Sequence, residues 1–223
     1  MVTVVGIDPG LNGGICVLRA KSEQSVELLM CMAIPTKEID GKTKIDILTL
    51  NNIIESFVSK FKGTDIAYII EKVGAMPGQG VTSMFTFGEV YGTLKTFCAL
   101  SNKKEPIEVT PLKWKNVVLK NYDFKQKIPP FKNDPKLTAK ENKERKLEYD
   151  KLKAKAKKLS KDCSIQKCHD MFPDVILKAT SRSKVDHDGI ADAICIGLYG
   201  VHLAFDDKEN KKVRSKKNEQ GTI

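Results

Sequence analysis

The chain has 223 residues, of which 41% are hydrophobic and 30% charged, and its formal net charge is +10. That length holds one α/β domain with a full core plus an insertion. Six cysteines without framework spacing exclude a disulfide scaffold. No signal-like segment and no apolar stretch near the ~20 residues of a spanning helix is evident, so a soluble, intracellular chain with reduced thiols is expected. The charge is lopsided: residues 125–161 carry fourteen Lys/Arg against five Asp/Glu. A basic segment of that kind favours a polyanion, with nucleic acid first, although a solvated helix face is the plainer reading of any charge run.

In chain order, residues 2–8, 14–19 and 26–32 read as strands, the first two joined by the turn Pro9-Gly10-Leu11-Asn12-Gly13. Leu50, Ile53, Ile54, Phe57, Val58 and Phe61 recur at helical spacing, which predicts an amphipathic helix over 47–61, ended by Gly63. Residues 66–71 form a fourth strand, apolar enough to be buried on both faces. A Gly/Pro loop, 74–80, leads into a helix over 81–100, where Gly88 and Gly92 leave a flat strip for close approach. Ile107-Glu108-Val109 is a fifth strand, and Thr110-Pro111 caps a helix through Trp114 and Val118.

Residues 125–135, with three prolines, read as a loop. The Lys/Ala/Leu/Glu-rich stretch 138–172 reads as helix, with Tyr149, Leu152, Ala156 and Leu159 on one stripe and a break near 160–164. A closing helix spans 188–204. The charged tail 206–223 is expected to be disordered. The domain is thus 1–205, with 125–158 as a basic insertion.

Four acids carry the chemistry. Asp8 ends the β-branched run Val4-Val5-Gly6-Ile7, and Glu71 ends Ile66-Ala67-Tyr68-Ile69-Ile70. Asp188 and Asp192 are four residues apart, on one helix face. Each has a bland alternative: an Asx turn for Asp8, a helix N-cap for Asp188. Capping does not explain Asp192, set among Ile190, Ala191, Ala193 and Ile194, and a strand-terminal Glu71 gains nothing from packing. Converging carboxylates are how proteins hold Mg²⁺ or Mn²⁺. Cys163, Cys168 and His169 could suggest zinc, but no second pair completes a set.

The order of strands, helices and acids describes a ribonuclease H-like α/β architecture: a five-stranded mixed sheet flanked by helices, with a basic helical insertion. The chain resembles the RuvC family of Holliday junction resolvases. The resemblance rests on Gly6-Ile7-Asp8-Pro9-Gly10, Ile69-Ile70-Glu71-Lys72-Val73 and Phe87-Gly88-Glu89-Val90-Tyr91-Gly92. Further on it rests on Thr110-Pro111-Leu112-Lys113-Trp114-Lys115, Ser160-Lys161-Asp162-Cys163-Ser164 and Asp188-Gly189-Ile190-Ala191-Asp192-Ala193. The last three are closer to phage-type and chloroplast resolvases than to bacterial ones. It covers about 1–120 and 158–203 and skips the basic insertion.

The resemblance implies a metal-dependent endonuclease that resolves four-way junctions by paired symmetric nicks, in recombination, repair or genome processing. It implies a homodimer acting on branched DNA, with no membrane, in a bacterial or phage-infected cytoplasm, or in a viral or organellar setting. Asp8, Glu71, Asp188 and Asp192 would be ligands to two Mg²⁺ ions per site, Mn²⁺ substituting, with Asp8 bridging. Lys161 would stand near the scissile phosphate, Lys113 being a second candidate, and the nicks would carry 5′-phosphate and 3′-hydroxyl ends. The chain departs from the bacterial pattern twice. A three-residue spacing of the last acids would fall on Gly189, which leaves Asp186 or His187 as alternatives to Asp188. The aromatic after the strand-four Glu is replaced by Gly74, so Met76 or Phe85 would serve as any wedge, and the 74–80 loop would touch bases near the crossover.

Other readings are a flap or general branch-cutting nuclease, a non-cleaving branched-DNA-binding protein, and an ATP phosphotransferase of the actin/hexokinase type. The last needs two such domains and a second phosphate loop.

Overall fold

In the computed structural model, residues 1–61, 65–74, 80–125 and 128–219 are described. Three strands open the chain: β1 (Val2–Asp8), β2 (Gly14–Ser22) and β3 (Ser25–Ala33). A two-stranded hairpin, β4 (Thr36–Ile39) and β5 (Lys42–Ile45), precedes α1 (Ile47–Val58) and a single 3-10 turn. Then come β6 (Asp65–Glu71), α2 (Val81–Asn102), β7 (Ile107–Val109) and α3 (Pro111–Val118). Two long helices, α4 (Ala139–Met171) and α5 (Asp188–Glu219), close the fold.

The main sheet has the order β3-β2-β1-β6-β7. β1 pairs antiparallel with β2 and parallel with β6, and β6 runs parallel to β7. β1 is therefore central, and its side chains alternate between two cores as the period of a strand requires. Val4 faces a core with Trp114, Cys168 and Ile194 from α3, α4 and α5. Val5 and Ile7 face a second core with Leu50, Ile54 and Leu94 from α1 and α2. The parallel strands β1 and β6 end at the same edge, which carries Asp8 and Glu71.

Helix α5 is seated unusually close to the sheet. A β-carbon on Gly6 would lie 2.4 Å from the Ala193 carbonyl and 2.5 Å from the Gly197 nitrogen. One on Gly14 would lie 2.3 Å from the Gly189 carbonyl. Both clashes are with backbone, so only glycine permits this approach, and the approach sets the first turn of α5 over the end of β1.

Three expectations are corrected. α4 is unbroken across 160–164, because tertiary contacts hold that turn: Lys115 Nζ donates to Ser160 Oγ at 3.0 Å and Cys195 Sγ lies against the Ser164 carbonyl. α5 runs from Asp188 to Glu219, longer than the closing helix expected over 188–204. Residues Asp188–Asp206 are also long and apolar enough to cross a membrane, contrary to the sequence reading, but two thirds of that window is buried within the fold and packs on the sheet. The β4–β5 hairpin was not anticipated. Its signal was the Asp40-Gly41 pair, whose positive φ values (51° and 70°) are those of a tight hairpin turn.

Candidate active site

Asp8, Glu71, Asp188 and Asp192 meet in one cleft of about 1280 Å³, together with the Gly10–Gly13 turn, Phe87, Lys115, Lys157, Ser160, Lys161 and His187. β1 and β6 each run apolar until the sheet edge and stop at their acid. The first two turns of α5 bring the other two across the top.

The electrostatics are those of a site short of positive charge. Burial pushes the Asp8 carboxyl well above the ordinary carboxylate range, and the charges of Asp192, Glu71 and Asp188 push it further, with Lys115 opposing. Burial likewise raises Glu71, against a hydrogen bond from Trp114. It raises Asp192 against the charge of Lys115 and a hydrogen bond from Ser164. Asp192 Oδ1 is buried and finds no hydrogen-bond partner among the described residues. An orphaned carboxylate oxygen of this kind costs free energy unless a cation meets it.

The outer two acids are engaged from within the fold. Trp114 is buried and donates its Nε1–H to Glu71 Oε2 at 2.7 Å. Lys161 forms a close ion pair with Asp188. Burial works to raise the Asp188 pKa, but the hydrogen bond and charge of Lys161 outweigh it and hold the carboxyl below its usual value. Among the described residues, no three His, Cys, Asp or Glu are gathered tightly enough to enclose an ion.

The register of α5 sets Asp188 and His187 in the cleft and leaves Asp186 outside its lining. Asp186 lies outside the cleft, accepting from Lys178 Nζ at 2.7 Å and lying 2.8 Å from His169 Nε2, contacts that lower its pKa. His187 lines the cleft, but its Nδ1 accepts from the Ile190 backbone N–H at 3.2 Å. His187, not Asp188, thus takes the N-cap role, which frees the Asp188 carboxylate to face the site.

Of the two lysines expected, Lys161 lines the cleft and Lys113 does not; it is exposed on the outer face of α3. Lys115, which the sequence reading passed over, stands in its place. Its Nζ donates to Ser160 Oγ at 3.0 Å and lies 5.0 Å from the Trp114 ring centroid, with Asp8, Glu71 and Asp192 all within its field. Helical spacing contained the signal: with Trp114 facing the core, positions 113 and 115 fall on opposite sides of it. Phe85 is 77% exposed at the start of the second turn of α2, next to the cleft-lining Thr82, Ser83 and Thr86. Met76 and most of the 74–80 loop lie outside the described residues. Cys163 and Cys168 are buried free thiols, and His169 is turned to Asp186.

No family model matches the chain, and no curated protein matches it. Among solved structures, the chain is similar to Thermus thermophilus RuvC in complex with a Holliday junction substrate. The identity is 16%, the match covers 94% of this chain and 97% of that one, and the TM-score is 0.51. A second Thermus thermophilus RuvC structure matches at 13% identity over 93% of this chain and 96% of that one, with a TM-score of 0.44. At such identities the likeness is one of fold. The mixed five-stranded sheet with flanking helices is a ribonuclease H-like fold, as expected from the order of elements.

Proposed function

We propose that this protein is a divalent-metal-dependent endonuclease that cuts branched DNA, with four-way junctions as its substrate. The observation that carries the reading is the meeting of acids from β1, β6 and α5 in one lysine-rimmed cleft, with a buried carboxylate oxygen on Asp192 left without a partner. The donors are hard oxygens, the set that suits Mg²⁺ or Mn²⁺. Asp8, Glu71 and Asp192 would hold the metal, with Asp188 joining them on release from Lys161. Bound there, the metal would act as a Lewis acid and lower the pKa of the attacking water.

The chain's own residues prepare that chemistry. Trp114 fixes the orientation of Glu71 through one carboxylate oxygen. Lys115 opposes the burial and mutual repulsion that raise the pKa values of Asp8, Glu71 and Asp192. Lys161, once parted from Asp188, presents its ammonium to a phosphate carrying extra negative charge in the transition state. The similarity of fold to a resolvase seen with its junction supports the choice of substrate.

Resolution by two symmetric cuts requires two copies related by a two-fold axis, and we place the contact on α2. Gly88 and Gly92 are exposed there, with open space where a β-carbon would stand, and Val81 and Phe85 are 85% and 77% exposed. Gly92→Leu should then shift the protein toward monomer in sedimentation and make single nicks accumulate on a cruciform plasmid. A variant that stays dimeric and resolves normally would remove α2 from the interface.

The test of the function is incubation with synthetic four-way junctions, flaps and plain duplex, with and without Mg²⁺. Symmetric, metal-dependent nicks in the junction are expected. The engagement of Glu71 by Trp114 and of Asp188 by Lys161 favours one alternative, a protein that grips branched DNA without cutting it. Tight junction binding without nicks in either Mg²⁺ or Mn²⁺ would establish that reading instead.

A further inference from the structure

We infer that the exposed part of α4 is a rail for duplex DNA that is continuous with the cleft. The inference rests on the nucleic-acid reading above and adds where the flanking duplex lies. From residue 139 to residue 158 every side chain is exposed except the half-buried Asn142, Tyr149 and Ala156. Only the following part, with Cys163, Ser164 and Cys168, is buried. The apolar residues of the exposed part do not seat it on the body: Leu147 and Leu152 are 57% and 54% exposed.

One face of this helix enters the cleft through Lys157 and Lys161. Followed outward at helical spacing, the same face carries Lys153, Asp150, Lys146 and Lys143. Asp150 is paired to Lys146 at 2.6 Å. The row from Lys143 to Lys161 spans about 27 Å, the length of roughly eight base pairs. The opposite face differs in kind. There Lys151, Lys155 and Lys158 are interspersed with Glu144, Glu148 and Asp162, the mixed pattern of a solvated surface.

The far end of the rail is braced. Thr138 and Glu141 form a reciprocal cap, and Asn142 Nδ2 donates to the carbonyls of Asp134 (2.9 Å) and Leu137 (3.2 Å). The Phe131 and Tyr149 rings meet with centroids 5.5 Å apart. A braced row of five lysines, interrupted only by Asp150, which Lys146 neutralises, runs straight out of the cleft and fits a regular polyanion whose scissile phosphate lies there; duplex DNA is such a ligand.

The test compares two charge-matched variants of the full chain, both using Gln to keep helix propensity. One replaces Lys143, Lys146 and Lys153 on the cleft face, the other Lys151, Lys155 and Lys158 on the opposite face. Binding to a plain duplex is titrated by fluorescence anisotropy across a salt series without divalent metal. The cleft-face triple should lower the salt slope by roughly 2–3 and weaken binding at physiological salt roughly tenfold or more, while the opposite-face triple lowers the slope by less than about 1. A Lys143→Gln, Lys153→Gln double variant, which leaves the Lys146 contacts in place, should lose nearly 2 in slope by the same rule. Equal losses in the two triples, or none in either, overturn the rail. The nuclease reading fails separately. If wild type does not cut junctions in Mg²⁺ but the triples still differ, the rail stands; if wild type cuts and the triples bind alike, the rail alone falls.

Discussion

The Asp192→Asn protein is expected to cut junctions at least a thousandfold more slowly, the order set by losing several kcal/mol of transition-state stabilisation. It should also melt a few degrees higher than wild type without divalent metal. The two effects share a cause. Burial, helped by the charge of Asp188 and opposed by Lys115, raises the Asp192 pKa in the fold above its unfolded value. Below the unfolded value both states hold the proton and nothing is lost. As pH rises from there through the folded value, the unfolded chain gives up its proton more readily, and the native state loses stability. Asn carries no charge, so its advantage should appear above about pH 4 and vanish below it. Mg²⁺ should raise the melting temperature of wild type by binding the native state, and raise that of the variant much less. Asp186→Asn is the control, since that carboxylate is held by Lys178 and His169 outside the cleft, and it should cut normally. Wild-type cutting by Asp192→Asn would overturn the four-acid site, and loss of cutting in Asp186→Asn with normal cutting in Asp188→Asn would put Asp186 in the place of Asp188.

Gly6→Ala should lower the melting temperature by about 10 °C, a loss at or beyond the upper end of the ~1–3 kcal/mol typical of overpacking. The added methyl would meet the backbone of Ala193 and Gly197 at 2.4–2.5 Å, and backbone cannot swing aside as a side chain can. Relief requires α5 to lift from β1, which separates Asp192 from Asp8, so the cutting rate should fall even at temperatures where the variant is folded. Gly88→Ala makes the contrast within one chain: its methyl meets no atom of the fold, so the monomer should hold or gain up to about 1 kcal/mol in helix stability, any loss being one of the dimer contact. A Gly6→Ala protein melting within a degree or two of wild type would contradict this close seating.

The strands and helices were legible because their signals are local. Val4–Ile7 and Ile66–Ile70 are apolar runs stopped by an acid, and Asp188 and Asp192 share a face by spacing alone. The β4–β5 hairpin was equally local, written in Asp40-Gly41, and went unread. The expected break in α4 failed for the opposite reason. Ser160 and Ser164 weaken a helix in isolation, but here Ser160 accepts from Lys115 and the turn packs beside Cys195.

By itself the sequence determined the five strands of the main sheet and the cores of its helices, and that Asp8, Glu71, Asp188 and Asp192 stand at or near their ends, because hydrophobic period and chain termination act over a few residues. Only the tertiary structure decided that Lys115 and not Lys113 faces those acids, that Asp186 is spoken for, that Trp114 holds Glu71, and that Asp192 is left with an orphan oxygen. Those outcomes depend on how close α5 can come to β1 and on which residues of α3 and α4 then fill the space. That closeness is set by glycines 6, 14, 189 and 197, which lie more than 170 residues apart across the contact they make.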